Sequence, residues 1–254
     1  MSLLYVAGTY YNDACDAEYD QQHQPHRPIA SGLISVHRVE AFAFVYVMLA
    51  LILIYTARLS SPPALGSSSI AWLSSSLALI ACIAIYNHHH KNNPLSPLLM
   101  AGCRVGVLLT TSYVLAANLP LVMFLFVSAT LAWLVGLTYL AKHERSPEEA
   151  DKKLINHWPV ALLSVPILIG ALISLSSPLV LIPVALIGRT IWKAREHLRN
   201  DPSSQKGQAI GMMIAGICLV DGIFLTWIWG IHGAIVSALA FGLTLALQRW
   251  IAGT

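Results

Sequence analysis

Asn12, Asp16 and Asp20 stand four residues apart in the segment YNDACDAEYD. A four-residue step along an α-helix turns only about 40° beyond a full revolution, so the three side chains share one face if the apolar run Leu3 to Tyr11 continues as a helix through Asp20. That face is a row of hard oxygen atoms at the margin of an oily chain. Mg2+ takes oxygen ligands from one or two carboxylates while it keeps waters and grips substrate phosphates, and a diphosphate leaving group needs such neutralisation. Isolated acidic residues would read as a helix end spilling into a solvated loop. The tail that follows, Pro25-His26-Arg27-Pro28-Ile29-Ala30-Ser31-Gly32, turns the reading towards diphosphate chemistry.

The elements that must hold this row are membrane helices. The chain of 254 residues is 56% hydrophobic and 11% charged, with a mean hydropathy of +0.66, which excludes an ordinary soluble globule. Stretches long enough to cross roughly 30 Å of hydrocarbon as helices are Val39–Thr56, Ser67–Tyr86, Pro97–Ala117, Pro120–Ala141, Trp158–Ser176, Pro178–Trp192, Gln208–Trp229 and His232–Arg249. The expected fold class is therefore all-α: a polytopic membrane bundle of about eight full spans plus a partial N-terminal helix, forming one domain over residues 1–254. Ser2 to Tyr11 is too short to span alone, and it lacks the basic start and cleavage site of a signal peptide.

Lys and Arg flanking the spans mark the cytoplasmic side. Alternate threading puts Arg27, Arg38, Lys91, Lys142, Arg145 and the basic residues between Lys193 and Lys206 on the side of the aspartate row, against Arg58 alone opposite. The net charge of +3 adds little, because nearly all the carboxylates lie on that side too. The row is expected to face the cytoplasm.

The whole stretch YNDACDAEYDQQHQPHRPIASGLIS resembles the first aspartate-rich motif of the UbiA superfamily of intramembrane prenyltransferases, NDxxDxxxD followed by RPI/L-x-x-G. The likeness is to 4-hydroxybenzoate polyprenyltransferase-like members. A fainter one, in YNHHHKNNPLSPLLMAGCR and GLTYLAKHE, is to the UbiA-like members of bacterial secondary-metabolite export operons, the EboC type. The resemblance implies a UbiA-like bundle in a bacterial inner membrane, with Mg2+ as cofactor. Asn12, Asp16 and Asp20 would hold Mg2+ and a prenyl diphosphate, and Arg27 would lie close to the same phosphates. The partners it implies are the prenyl diphosphate, an aromatic or other lipophilic acceptor and membrane lipid, with no nucleic acid. The reaction it implies is ionisation to an allylic cation, captured by that acceptor.

The family carries Tyr and Lys, usually as YxxxK, where this chain has Tyr86 and Lys91 with one residue more between them. Tyr86 would shield an allylic cation and Lys91 would pair with phosphate as a point charge. An interfacial Tyr with a snorkelling Lys is the structural alternative. The family's second aspartate cluster, at the cytoplasmic end of its sixth helix, is replaced by GLTYLAKHERSPEEAD. Glu144 is the first carboxylate met there, with Tyr139 and Lys142 nearby. Glu148, Glu149 and Asp151 read as compensation of a helix N-terminus after Ser146-Pro147. That erosion supports an alternative function, a non-catalytic UbiA-like membrane protein that binds or helps export an isoprenoid-type metabolite. The family's nine helices place the first motif after the second, so the first helix is expected to be missing, as in a truncated gene, and His232–Arg249 to be an additional span.

Three ionisable residues fall within predicted spans: Arg104, Arg189 and Asp221. Such residues are expensive in hydrocarbon and mark function by default. Arg104, about two turns below the start of its helix, needs an anion such as phosphate, an acceptor carboxylate or Glu144, and is placed with the diphosphate-binding set. Arg189 can snorkel, and Asp221 suits a protonated, hydrogen-bonded acid as well as a working one. His88-His89-His90 and His23-x-x-His26 invite a metal reading, but consecutive His residues on a regular helix cannot converge on one ion. Cys15, Cys82, Cys103 and Cys218 form no CxxC and read as reduced packing residues. No P-loop, dinucleotide fingerprint or GxSxG elbow is present.

Overall fold

A computed structural model describes residues 1–60, 70–89, 93–115, 121–143, 158–200 and 206–248, and no strand occurs among them. The chain divides into two compact units, Met1–Pro120 and Leu121–Thr254.

The first unit contains α1 (Ser2–Cys15), α2 (Ala17–His23), α3 (Val36–Ser60), α4 (Ala71–His89) and α5 (Ser96–Leu115). Leu4, Ala50, Ile54, Leu79 and Val114 form its buried core. Small residues let the helices approach closely, as membrane packing requires. A Cβ built on Gly8 of α1 would lie 3.3 Å from Ile83, and one on Gly106 of α5 would lie 3.0 Å from Leu79. The outward surface is apolar: Phe44 is 64% and Leu53 58% exposed on α3. A helix that is apolar on every side and barely covered by protein needs lipid around it.

The second unit contains α6 (Leu121–His143), α7 (Trp158–Ser174), a 3-10 turn (Pro178–Val180), α8 (Leu181–Asn200), α9 (Lys206–Ala215), α10 (Ile217–Trp229) and α11 (Ile231–Leu247). Its core gathers Trp133, Leu163, Ile187, Met213, Leu219 and Ile223. Gly230 has φ +59°, a left-handed conformation that ends α10 and lets α11 fold back. Gly222 and Gly233 lie in the resulting seam. A Cβ on Gly222 would meet Ser237 at 2.5 Å, and one on Gly233 would run into the backbone of Leu225.

Among the described residues five helices are long and apolar enough to cross a membrane: Val36–Ser60, Ala71–His89, Ser96–Leu115, Leu121–Ala141 and Gly207–Trp229. Trp158–Ser174 and Ile231–Leu247 are shorter apolar helices. The stretch predicted as a span from Pro178 to Trp192 instead opens as the 3-10 turn and runs on to Asn200. Its second half carries Arg189, Lys193, Arg195 and Glu196, which dilute its apolar character. The predicted Gln208–Trp229 span is divided at Gly216 into α9 and α10. There a Cβ on Gly216 would touch Trp133 at 2.5 Å, and the Trp133 indole N–H donates to the Met213 carbonyl at 3.1 Å. The missing side chain of Gly216 makes room for the indole.

Candidate functional site

The first unit positions the carboxylate row. α1 ends and α2 begins at Asp16, with φ −89° and ψ −1°, yet the hydrogen-bond ladder continues through the bend. Asp16 N–H donates to the Asn12 carbonyl at 2.9 Å, Asp20 N–H to Asp16 at 2.8 Å and Gln24 N–H to Asp20 at 2.7 Å. These i to i−4 rungs put Asn12, Asp16 and Asp20 one turn apart, as the spacing predicts. The Asn12 side-chain amide donates to Asp16 Oδ2 at 3.2 Å. That contact ties the two side chains together and leaves the Asn12 carbonyl oxygen as a further acceptor on the row.

The Pro/Arg/Gly tail folds back onto that row. Arg27 N–H donates to Gln24 at 3.0 Å, Ser31 N–H to Arg27 at 2.8 Å and Gly32 N–H to Ile29 at 3.1 Å. Gly32 has φ +78°, which only glycine adopts without strain. This compact turn carries Arg27 Nη1 to 2.9 Å from Asp20 Oδ2 and 3.8 Å from Asp13 Oδ1. The Asp20 side chain is only 6% exposed, so its charge needs a partner, and the guanidinium supplies one. Burial raises Asp13 above the ordinary carboxylate range; Arg27 pulls it back, while Asp20 and Asp16 push it further up. One guanidinium therefore faces two carboxylates, Asp13 and Asp20. Sequence reasoning did not single out Asp13 as a partner of Arg27; only its place in the Asn-Asp pair pointed to it.

α4 and α5 close the far side. Asn87 Nδ2 donates to the Gly8 carbonyl at 3.2 Å, and Tyr11 hydrogen-bonds the His88 ring, docking the end of α4 on α1. Tyr86 lies within electrostatic reach of Asp16 and of Cys103, and Arg104, with a buried Nε, follows Cys103 on α5. Thus Asn12, Asp16, Asp20 and Arg27 are brought together, and Tyr86 lies at their margin. Lys91 and Glu144 lie outside the described residues. Tyr139 packs its ring edge-to-face on Trp158, with centroids 4.7 Å apart. Among the described residues the histidines form no metal cluster. His23 stacks on Tyr19, and His88 is engaged by Tyr11.

Among the described residues no three His, Cys, Asp or Glu side chains converge as a metal cage. Mg2+ does not require one, since it is usually bound through one or two carboxylates together with waters and phosphates. The oxygen donors Asp16, Asp20 and Asn12 suit that hard ion.

The pattern of the UbiA prenyltransferase family matches residues 1–217. The chain belongs to that family. The match covers all of the first unit and ends at the start of α10. Digeranylgeranylglyceryl phosphate synthase of Methanoregula boonei is 33% identical over 97 residues, 30% of this chain and 35% of that protein. The chain thus matches about a third of the length of that curated relative. No solved structure matches it. A UbiA-family helical bundle agrees with the all-α fold and with the apolar helices of both units.

Proposed function

We propose that this UbiA-family protein is a Mg2+-dependent membrane prenyltransferase that moves a prenyl group from a polyprenyl diphosphate to an aromatic or other lipophilic acceptor. The observation that carries the reading is the unbroken helical ladder under Asn12, Asp16 and Asp20, with Arg27 folded onto Asp20. The relative's name, a synthase of digeranylgeranylglyceryl phosphate, is in keeping with isoprenoid substrates.

Mg2+, when bound, would neutralise the diphosphate and so help it leave. The residues that would hold it are Asp16 and Asp20, with the Asn12 side-chain oxygen beside them. Arg27 has five N–H donors, and its contact with Asp20 occupies only part of them. The rest would bind phosphate oxygens and stabilise negative charge as the C–O bond breaks, an effect strengthened where water is excluded. Arg104 and Lys91 would add positive charge to the same group. Tyr86 would turn its ring to the allylic cation and shield it from water. Glu144 would take the proton lost by the acceptor.

Incubating the membrane protein with Mg2+, an allylic polyprenyl diphosphate and either an aromatic acid or a glyceryl phosphate ether tests this reading. Mass spectrometry is expected to find a prenylated product with one of these acceptors. Unmodified acceptors across both classes and all chain lengths tried would count against it.

The lopsided distribution of Lys and Arg supports a cytoplasmic side for Asp20, Arg27 and Lys91. In a background without the native cysteines, Glu18→Cys is expected to react with an impermeant maleimide only from the cytoplasm, and Ser60→Cys only from the opposite side. The reverse labelling would overturn the orientation.

A further inference from the structure

None of the four cysteines is in a disulfide, but two of them face one another. Cys103 Sγ on α5 lies 3.7 Å from Cys82 Sγ on α4. Cys82 Sγ also lies 3.3 Å from the Leu99 carbonyl oxygen of α5. The seam is close here for a reason in the sequence: a Cβ on Gly102 would come 3.1 Å from Cys82 Sγ, and one turn on a Cβ on Gly106 would come 3.0 Å from Leu79. Two glycines one turn apart let α4 lie on α5, and the thiols meet in that contact. The other cysteines are occupied elsewhere. Cys15 hydrogen-bonds Tyr11, and Cys218 lies 3.8 Å from Thr244 Oγ1 in the second unit.

We propose that Cys82 and Cys103 form a reversible dithiol–disulfide pair, oxidised within the bilayer by lipid hydroperoxides. A disulfide needs sulfurs about 2.05 Å apart, and these two already stand in van der Waals contact at 3.7 Å. Cys82 stands seven residues before His89 at the end of α4, or about 10 Å along the helix from the polar boundary. Apolar oxidants concentrate at that depth and hydrophilic thiols such as glutathione do not. The hydroperoxide O–O bond is cleaved as one thiol is oxidised to a sulfenic acid and the lipid alcohol leaves. The second sulfur then displaces the sulfenic oxygen, forming the S–S bond and releasing water. Two thiols lose two electrons and two protons, and the hydroperoxide accepts both. A dithiol reductant reverses the bond by exchange. The cross-link would fix α4 to α5 one turn from Tyr86 and directly beside Arg104, holding both in the arrangement described above.

The inference does not rest on the transferase reading, and its test reads thiols rather than activity. Protein in lipid nanodiscs is treated with cumene hydroperoxide, then alkylated, digested and mapped by mass spectrometry, with intact mass recorded before and after a dithiol reductant. The expected result is loss of two of the four alkylatable thiols, an intact mass lower by two hydrogens, a single linked peptide pair joining Cys82 to Cys103, and full reversal on reduction. Cys82→Ser and Cys103→Ser should each abolish the cross-link, while Cys218→Ser leaves it unchanged. As a measurement on the unaltered protein, a monosubstituted arsenical, which bridges two adjacent thiols, should bind with a stoichiometry of one and protect this pair from alkylation. Equal oxidation of all four cysteines without a cross-link, a cross-link through Cys15, or absence of arsenical capture would overturn the proposal.

Discussion

Asp16→Asn is expected to weaken Mg2+-dependent binding of a prenyl diphosphate by roughly 30-fold, whereas Glu18→Gln changes it less than about twofold. Both substitutions remove one negative charge from the same short stretch, so bulk electrostatics alone would affect them alike. Glu18 is exposed on the first turn of α2, where water and salt screen it. Asp16 sits in the middle of the row, hydrogen-bonded by Asn12, with the Asp20 rung directly beneath it. Losing a charged partner from such a position removes about 2 kcal/mol, by the usual scale of hydrogen bonds to ionised groups. Isothermal titration or equilibrium dialysis in detergent, with and without Mg2+, measures the difference. Equal losses in the two variants would remove the row from the substrate site.

Glu144→Gln is expected to separate rate from binding. If Glu144 takes the acceptor's proton, turnover falls by 100-fold or more, in the range of lost general-base catalysis. Diphosphate affinity stays within about threefold, because Asn12, Asp16, Asp20 and Arg27 still hold the ligand. A fall in kcat with little change in ground-state binding marks an interaction made in the transition state. Single-turnover kinetics alongside binding resolves the two quantities. Full activity in the variant would refute the role of Glu144.

The carboxylate row was legible in the sequence because helical periodicity is local: residues four apart stack whatever surrounds them. A turn in its tail was open to reading for the same reason, since Pro25, Pro28 and Gly32 restrict or free their own backbone, although it was not among the expectations. The destination of Arg27 was not. Its ion pair with Asp20 depends on how the turn folds over α2, which residue types alone do not encode. The apolar spans follow from composition, yet the need for glycine at position 216 comes from Trp133, more than eighty residues earlier in the chain. The Pro178–Trp192 stretch was misread in its bounds because its apolar half hides a continuation through charged residues to Asn200. The thiol pair was likewise invisible, because Cys82 and Cys103 are separated by a loop and meet only through glycines on the facing helix.

The most direct test of the carboxylate row as a prenyl-transfer site is diphosphate release from an allylic prenyl diphosphate, followed while Mg2+ is titrated, for the parent protein and an Asp16→Asn, Asp20→Asn double variant side by side. The expected result is release that rises with Mg2+ in the parent and falls by at least 100-fold in the double variant, with both proteins showing the same helical content. Binding of the prenyl diphosphate by the parent with no release at any Mg2+ concentration would contradict it and identify a protein that carries isoprenoids without transferring them.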